Sequence, residues 1–146
     1  MASTVIVAVR AALVDALAAL PTFTGIPVAY CYDKTCMEQR EFLYTRDARF
    51  DHSVAALKAG RSFREESGTF ELVVWVESVG GSPREAATRA LALGLVVEEY
   101  VADHKNGVGG ARSLQVAGAG ALSEMASDSS SFAELVYPVR YEARLT

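Results

Sequence analysis

Chemically reactive side chains are scarce in this chain of 146 residues, which holds only two cysteines and two histidines. Cys31 and Cys36 cannot build a disulfide framework, and a chain of this length has a core without staples, so a reducing compartment is expected. A Cys2His2 zinc site would need both cysteines together with His52 and His104. Zinc modules place their ligands in two tight pairs, whereas these histidines lie far apart, so no metal or other cofactor is expected. Positive charge is also lacking. The net charge of −4, from 14 basic and 18 acidic residues, supplies no field to draw a polyanion, and no sequence-specific nucleic acid is expected as a partner. A long uninterrupted apolar run is missing too. The apolar stretch 5–20 carries Arg10 and Asp15, follows no basic cluster, and is shorter than the roughly 20 apolar residues a bilayer demands. The expectation there is a buried helix, with no signal peptide and no membrane partner.

What is present suits one globular domain spanning 1–146. Apolar residues make up 51% and charged residues 22%, far from the composition of disorder. Ser3 or Thr4 caps a first helix in which Val5, Val9, Leu13, Leu17 and Leu20 recur at helical spacing, and Pro21 ends it. Alternation predicts a strand over 26–32, a polar connection over 34–39 and a second strand over 41–46. Residues 47–68 have no clear period, and a connection of that length marks either a functional segment or a flexible arm. The segment 70–77 alternates cleanly as a third strand. Ser82, Pro83 and Glu85 then form a helix start, with Ser82 accepting from first-turn amides and Glu85 bonding back to the cap. That helix should run to His104, with Gly94 permitting close approach to a sheet. A glycine-broken strand over 112–125 follows. The final strand places Leu135, Tyr137, Val139, Tyr141 and Leu145 on one side and Glu134, Pro138, Arg140, Glu142 and Arg144 on the other. Pro138 cannot donate to a ladder, so this strand is expected at an edge or with a bulge.

The order α-β-β-β-α-β-β favours an α+β two-layer sandwich, with a mixed or antiparallel sheet of about five strands and two helices on one face. Catalytic constellations do not emerge from it. A cysteine nucleophile needs an activating base, and neither cysteine is marked as activated. Gly107, Gly109 and Gly110 follow a helix, whereas a phosphate loop must lead into one. Glu65 with Glu66, and Glu98 with Glu99, read as solvated faces, because adjacent side chains diverge. Arg40, Arg46, Arg49, Lys58, Arg61 and Arg64 interleave with aromatics, yet neighbouring carboxylates cancel most of their field and suit a protein contact better.

The layout resembles the tail terminator proteins of long-tailed bacteriophages, also met as minor tail proteins that complete the tube. The resemblance lies in the apolar first helix closing at Leu20 and Pro21, and in the strand 26–32. It continues through the strand 70–77, which leads by Gly80, Gly81 and Ser82 into the helix 84–104, and the terminal 136–145 with Tyr141, Ala143, Arg144 and Leu145. It implies a non-enzymatic virion subunit without a cofactor, assembled in the host cytoplasm and located at the head-proximal end of the tail. Such a subunit forms a homohexameric ring on the tail tube protein, stops tube growth and offers a surface to the head completion or neck protein. A head-tail connector or head closure protein is the nearest alternative. A small ligand-binding module or cysteine-dependent enzyme is a more distant one.

A closed ring needs two different complementary surfaces on each subunit. The segment 47–68 and the final strand are the candidates, and the subunit or partner interface is accordingly expected at Arg49, Phe50, Arg61, Phe63, Arg64, Arg140 and Arg144. No residue is expected to be catalytic, cofactor-binding or metal-ligating.

Overall fold

The computed structural model describes residues 4–58 and 61–145, with the side chains of 54–63 outside the described set. Helix α1 (Ile6–Ala18) forms where Val9, Leu13 and Leu17 recur every fourth position, and all three are fully buried. Its start is one residue later than the apolar pattern implies, and the N-cap position falls on Val5 in place of Ser3 or Thr4, although Thr4 Oγ1 still accepts from the Ile6 amide at 3.2 Å. Pro21 cannot continue the helix and instead opens a short 3-10 turn, Pro21–Phe23.

The sheet has six strands, and the two long helices pack on one face of it, as the α+β two-layer reading requires. Strands β1 (Val28–Ala29), β2 (Glu41–Lys58), β3 (Arg61–Val79) and β6 (Ser130–Leu145) lie side by side, while β4 (Ser113–Val116) and β5 (Ala121–Ala126) both pair with the far side of β6. Only the β1 to β2 pairing is parallel. Helix α2 (Lys34–Met37) occupies the expected polar connection, capped by the Asp33 carboxylate accepting from the Thr35 amide at 2.9 Å. No helix among the described residues is long and apolar enough to cross a membrane.

Four strand assignments differ from the sequence expectation. The strand over 26–32 shrinks to Val28–Ala29, because the chain bends away at Tyr30, whose carbonyl is taken by Thr45 Oγ1 at 2.5 Å and Arg10 Nη2 at 3.2 Å. The second strand runs 18 residues instead of six. Together with β3 it absorbs the described residues of 47–68, so that segment is the outer part of a long hairpin. The glycine-broken strand over 112–125 divides into β4 and β5. Lastly, β6 is no edge strand, since it lies between β3 and the β4 and β5 pair. Pro138 is accommodated because β4 and β5 are interrupted beside it. Its carbonyl accepts from the Ala117 amide at 3.0 Å, so its nitrogen, which has no proton, faces the gap at Gly118 and Gly120.

The core forms from alternate residues of the sheet. Leu43, Phe70, Leu72, Val74, Leu135, Val139 and Tyr141 face α1 and α3 (Pro83–Asp103) and are almost wholly buried. Helix α3 begins with the expected capping box, Ser82 Oγ accepting from the Glu85 amide at 3.2 Å and Glu85 accepting from the Ser82 amide at 3.1 Å. Gly94 is the close-approach point, since a methyl there would lie 2.6 Å from Leu135 Cδ2.

Candidate functional site

The hairpin of β2 and β3 contains the feature that sequence alternation hides. Between Arg46 and Arg49 two residues, Asp47 and Ala48, oppose the single Phe70, and Asp47 takes a left-handed φ of 53°. This bulge reverses which side chains face the helices. Before it, Leu43 and Thr45 point inward; after it, Phe50 and His52 do, directly across from Gly68 and Glu66.

Glu66 is therefore not part of a solvated face. It is 1% exposed, and its Oε1 accepts from Thr4 Oγ1 at 2.9 Å, from the Val5 amide at 3.1 Å and from Tyr141 Oη at 2.7 Å. Its Oε2 lies 2.6 Å from His52 Nε2. Burial pushes this carboxyl upward, but the hydrogen bonds from Tyr141, His52, Thr4 and Val5 outweigh it and hold the group below the ordinary carboxylate range. Burial and the Glu66 carboxylate push the Tyr141 phenol well above its usual range. With both Glu66 oxygens occupied and its side chain buried, the cluster ties the α1 N-terminus to the hairpin.

The opposite sheet face carries no long helix and divides into two zones. Near α2 it is aromatic. Ring centroids lie 5.7 Å apart for Tyr32 and Phe42, 6.1 Å for Phe42 and Trp75, and 5.5 Å for Trp75 and Phe132. These rings, with Tyr44, Met37, Glu77 and Glu134, line a groove of about 350 Å³. Cys36 lies at its floor, fully buried, and burial pushes its thiol up, away from the thiolate a nucleophile needs. Cys31 is exposed, and His104 caps α3, stacked on Tyr100 at 3.9 Å between centroids. The cysteines and histidines thus sit in separate places.

Toward the hairpin the same face becomes ionic. Arg46 bonds Glu71 at 2.7 Å and reaches Glu134 at 3.5 Å. Glu65 lies between Arg144, which donates to its Oε1 at 2.8 Å, and Arg112, whose Nη1 donates to the same oxygen at 3.3 Å while its Nη2 lies 2.7 Å from Oε2. The expected interface residues fall into two groups. Arg49, Arg140 and Arg144 share this open face, where Arg49 and Arg140 flank Thr69. Phe50, 50% exposed, and the half-buried Arg64 lie on the helix side. The Arg61 and Phe63 side chains lie outside the described residues, although their backbones pair with Lys58 and Ala56.

No protein family and no curated protein matches the sequence significantly. Among solved structures, the fold is similar to a chain of the virion of a native gene transfer agent particle. The two share 13% identity and a TM-score of 0.61, over 97% of this chain and 100% of the other.

Proposed function

We propose that this chain is a structural virion subunit that closes the end of a phage tail tube as a ring, stops tube polymerisation and presents an attachment surface to the head or neck. The observation that carries the reading is the fold shared, over nearly the full length of both chains, with a component of a gene transfer agent virion. The layout that resembles tail terminators points the same way. So does the geometry: the histidine-carboxylate contact among the described residues is internally saturated, and the sheet face away from the two long helices carries an aromatic groove. These suit assembly better than catalysis.

In this reading the partners are other copies of the chain, six to a ring, the tube protein on one side and a head completion or neck protein on the other. The protein resides at the head-proximal end of the tail. Arg49, Phe50, Arg61, Phe63, Arg64, Arg140 and Arg144 contribute to its contacts.

Mass measurement across a concentration series and electron microscopy should reveal annular particles, and adding the chain to polymerising tube protein should shorten the tubes. Rings that bind neck components but ignore tube ends would instead favour a head closure role. Replacing Phe63 and Arg64 by alanine should weaken the oligomer while thermal melts of the monomer stay unchanged. Equal loss of folded monomer would contradict the interface assignment.

A further inference from the structure

Among the described residues the sheet has two long stretches of free edge, and the phase of the ladders fixes which backbone groups they present. The first is β5, which pairs with β6 alone. The Ser127 amide donates to the Ser130 carbonyl at 2.8 Å, and bonded pairs recur at every second position of an antiparallel ladder. Ser123 and Met125 therefore direct their amides and carbonyls at β6, whereas Leu122, Glu124 and Ala126 direct theirs away from the sheet. Every residue of β5 is exposed. Glu124 is its one charge, and it has no lysine, arginine or proline to guard the edge.

The second free edge is the part of β2 beyond the bulge, since β1 covers only Leu43 and Tyr44. The Glu77 amide donates to the Arg40 carbonyl at 2.7 Å, so the odd-numbered residues of β3 face β2. Arg49, Asp51 and Ser53 are their partners, opposite Thr69, Ser67 and Glu65, which leaves Phe50 and His52 facing outward. The Asp51 carboxylate accepts from the His52 amide at 2.9 Å, a local bond made where no strand lies alongside.

The two edges are complementary. Each carries an exposed apolar side chain on the helix side, Phe50 on β2 and, opposite the inward Leu135, Leu122 on β5. Strand β5 is antiparallel to β6, β6 to β3 and β3 to β2, so β5 runs against β2. Rotation about an axis along the strands keeps that sense, so β5 of one copy meets β2 of the next as an antiparallel pair. The edges also differ in height. Leu122 is level with Leu135, Val74 and Leu43, and Phe50 lies further along β2 by roughly 20 Å at about 3.3 Å per residue. A sheet that closes on itself requires such a stagger.

We propose that β5 of one copy pairs with residues 49–53 of β2 in the next, so that the sheet continues from copy to copy. The outward backbone groups of the two edges become partners, Phe50 and Leu122 are covered, and the next copy replaces Asp51 at the His52 amide. The contact joins two different surfaces, so it propagates head to tail and closes a ring when the rotation per copy allows. It rests on the ring reading above and assigns that ring its subunit contact.

Proline at an outward position removes an edge amide and leaves the ladder behind it intact. Full-length Phe50→Pro and Glu124→Pro should therefore melt like the unaltered chain yet associate at least about tenfold more weakly, alone and on tube ends. Covalent capture tests the same contact directly. In a Cys31→Ser background, where the remaining Cys36 is buried, Phe50→Cys is combined with Leu122→Cys or with Glu124→Cys and treated with a short bismaleimide. Within one chain β3 and β6 lie between these strands, a span of at least about 14 Å at roughly 4.8 Å per strand, so a cross-link reports neighbouring copies. At least one double form should yield covalent multimers, and the single-cysteine forms should yield none. Should a proline form unfold, the capture result decides. Rings that assemble equally well from both proline forms, rings in which neither double form is captured, or dimers captured through Leu122→Cys alone, as a pair of β5 strands would give, overturn this contact and leave the ring reading standing. A chain that stays monomeric at every concentration and on tube ends overturns both.

Discussion

Tyr141 lies across Gly68 on the neighbouring strand and donates its hydroxyl to Glu66 at 2.7 Å. A methyl on Gly68 would collide with the Tyr141 ring, so the glycine is what allows the phenol to reach the carboxylate. Gly68→Ala should cost about 1–3 kcal/mol by overpacking. Tyr141→Phe, which keeps the ring and loses the bond to a charged acceptor, should cost roughly 1.5–3 kcal/mol. Urea unfolding of both variants checks these values, and a neutral Gly68→Ala would show that the ring moves freely.

Removing Glu66 leaves Tyr141, Thr4, the Val5 amide and His52 without their common acceptor. Glu66→Ala should therefore destabilise by about 3 kcal/mol or more. The carboxyl is held below the ordinary range in the folded state, so its contribution is fully present above the unfolded value near 4.5. It fades as pH falls through the lower folded value. Melting temperatures of the unaltered chain and Glu66→Gln should differ most near neutral pH and converge in acid. A gap that widens in acid would contradict the assignment.

Close packing of α3 on β6 depends on Gly94, where an added methyl would meet Leu135 Cδ2 and the Tyr137 hydroxyl. Alanine is the better helix former by about 1 kcal/mol, yet Gly94→Ala should lower stability by about 1–3 kcal/mol because the clash outweighs propensity. A calorimetric melt shifted upward would mean that the helix can retreat from the sheet.

Ser82→Ala removes the acceptor for the Glu85 amide. The expected loss is about 1 kcal/mol, visible in chemical denaturation and unaccompanied by any change in association.

Glu65 is bracketed by Arg112 and Arg144, both about half exposed. Its replacement by Gln should cost no more than about 1 kcal/mol, and added salt should shrink the difference. A larger or salt-independent effect would indicate a buried role for this pair.

Long, regular elements were legible from periodicity. Val9, Leu13 and Leu17 announce α1, the Ser82, Pro83 and Glu85 start announces α3, and the inward set from Leu135 to Tyr141 matches the burial of β6. The hairpin was not legible. The bulge at Asp47 shifts the phase of alternation by one residue, and Ala55 adds a second irregularity, so a period-two search loses the strand where it continues. Pro138 misled for a related reason. A proline suits an edge only if some strand would otherwise require its amide proton, and here the glycines of the neighbouring segment open the ladder at that point.

The groove and the Glu66 cluster were invisible in sequence because both join residues distant along the chain. Glu66 meets Thr4 and Tyr141 across separations of 62 and 75 positions, and Tyr32 reaches Phe42 only after α2 turns the chain back. From the amino-acid order alone came the two long helices, the alternating segments 70–77 and 135–145, the α+β class and the shortage of reactive side chains, since each depends on local spacing and composition. Tertiary structure alone decided which strand is central, which carboxylate is buried and which aromatics share a surface. Pairing register and bulge placement assign side chains to faces, and both depend on contacts between segments far apart in the chain.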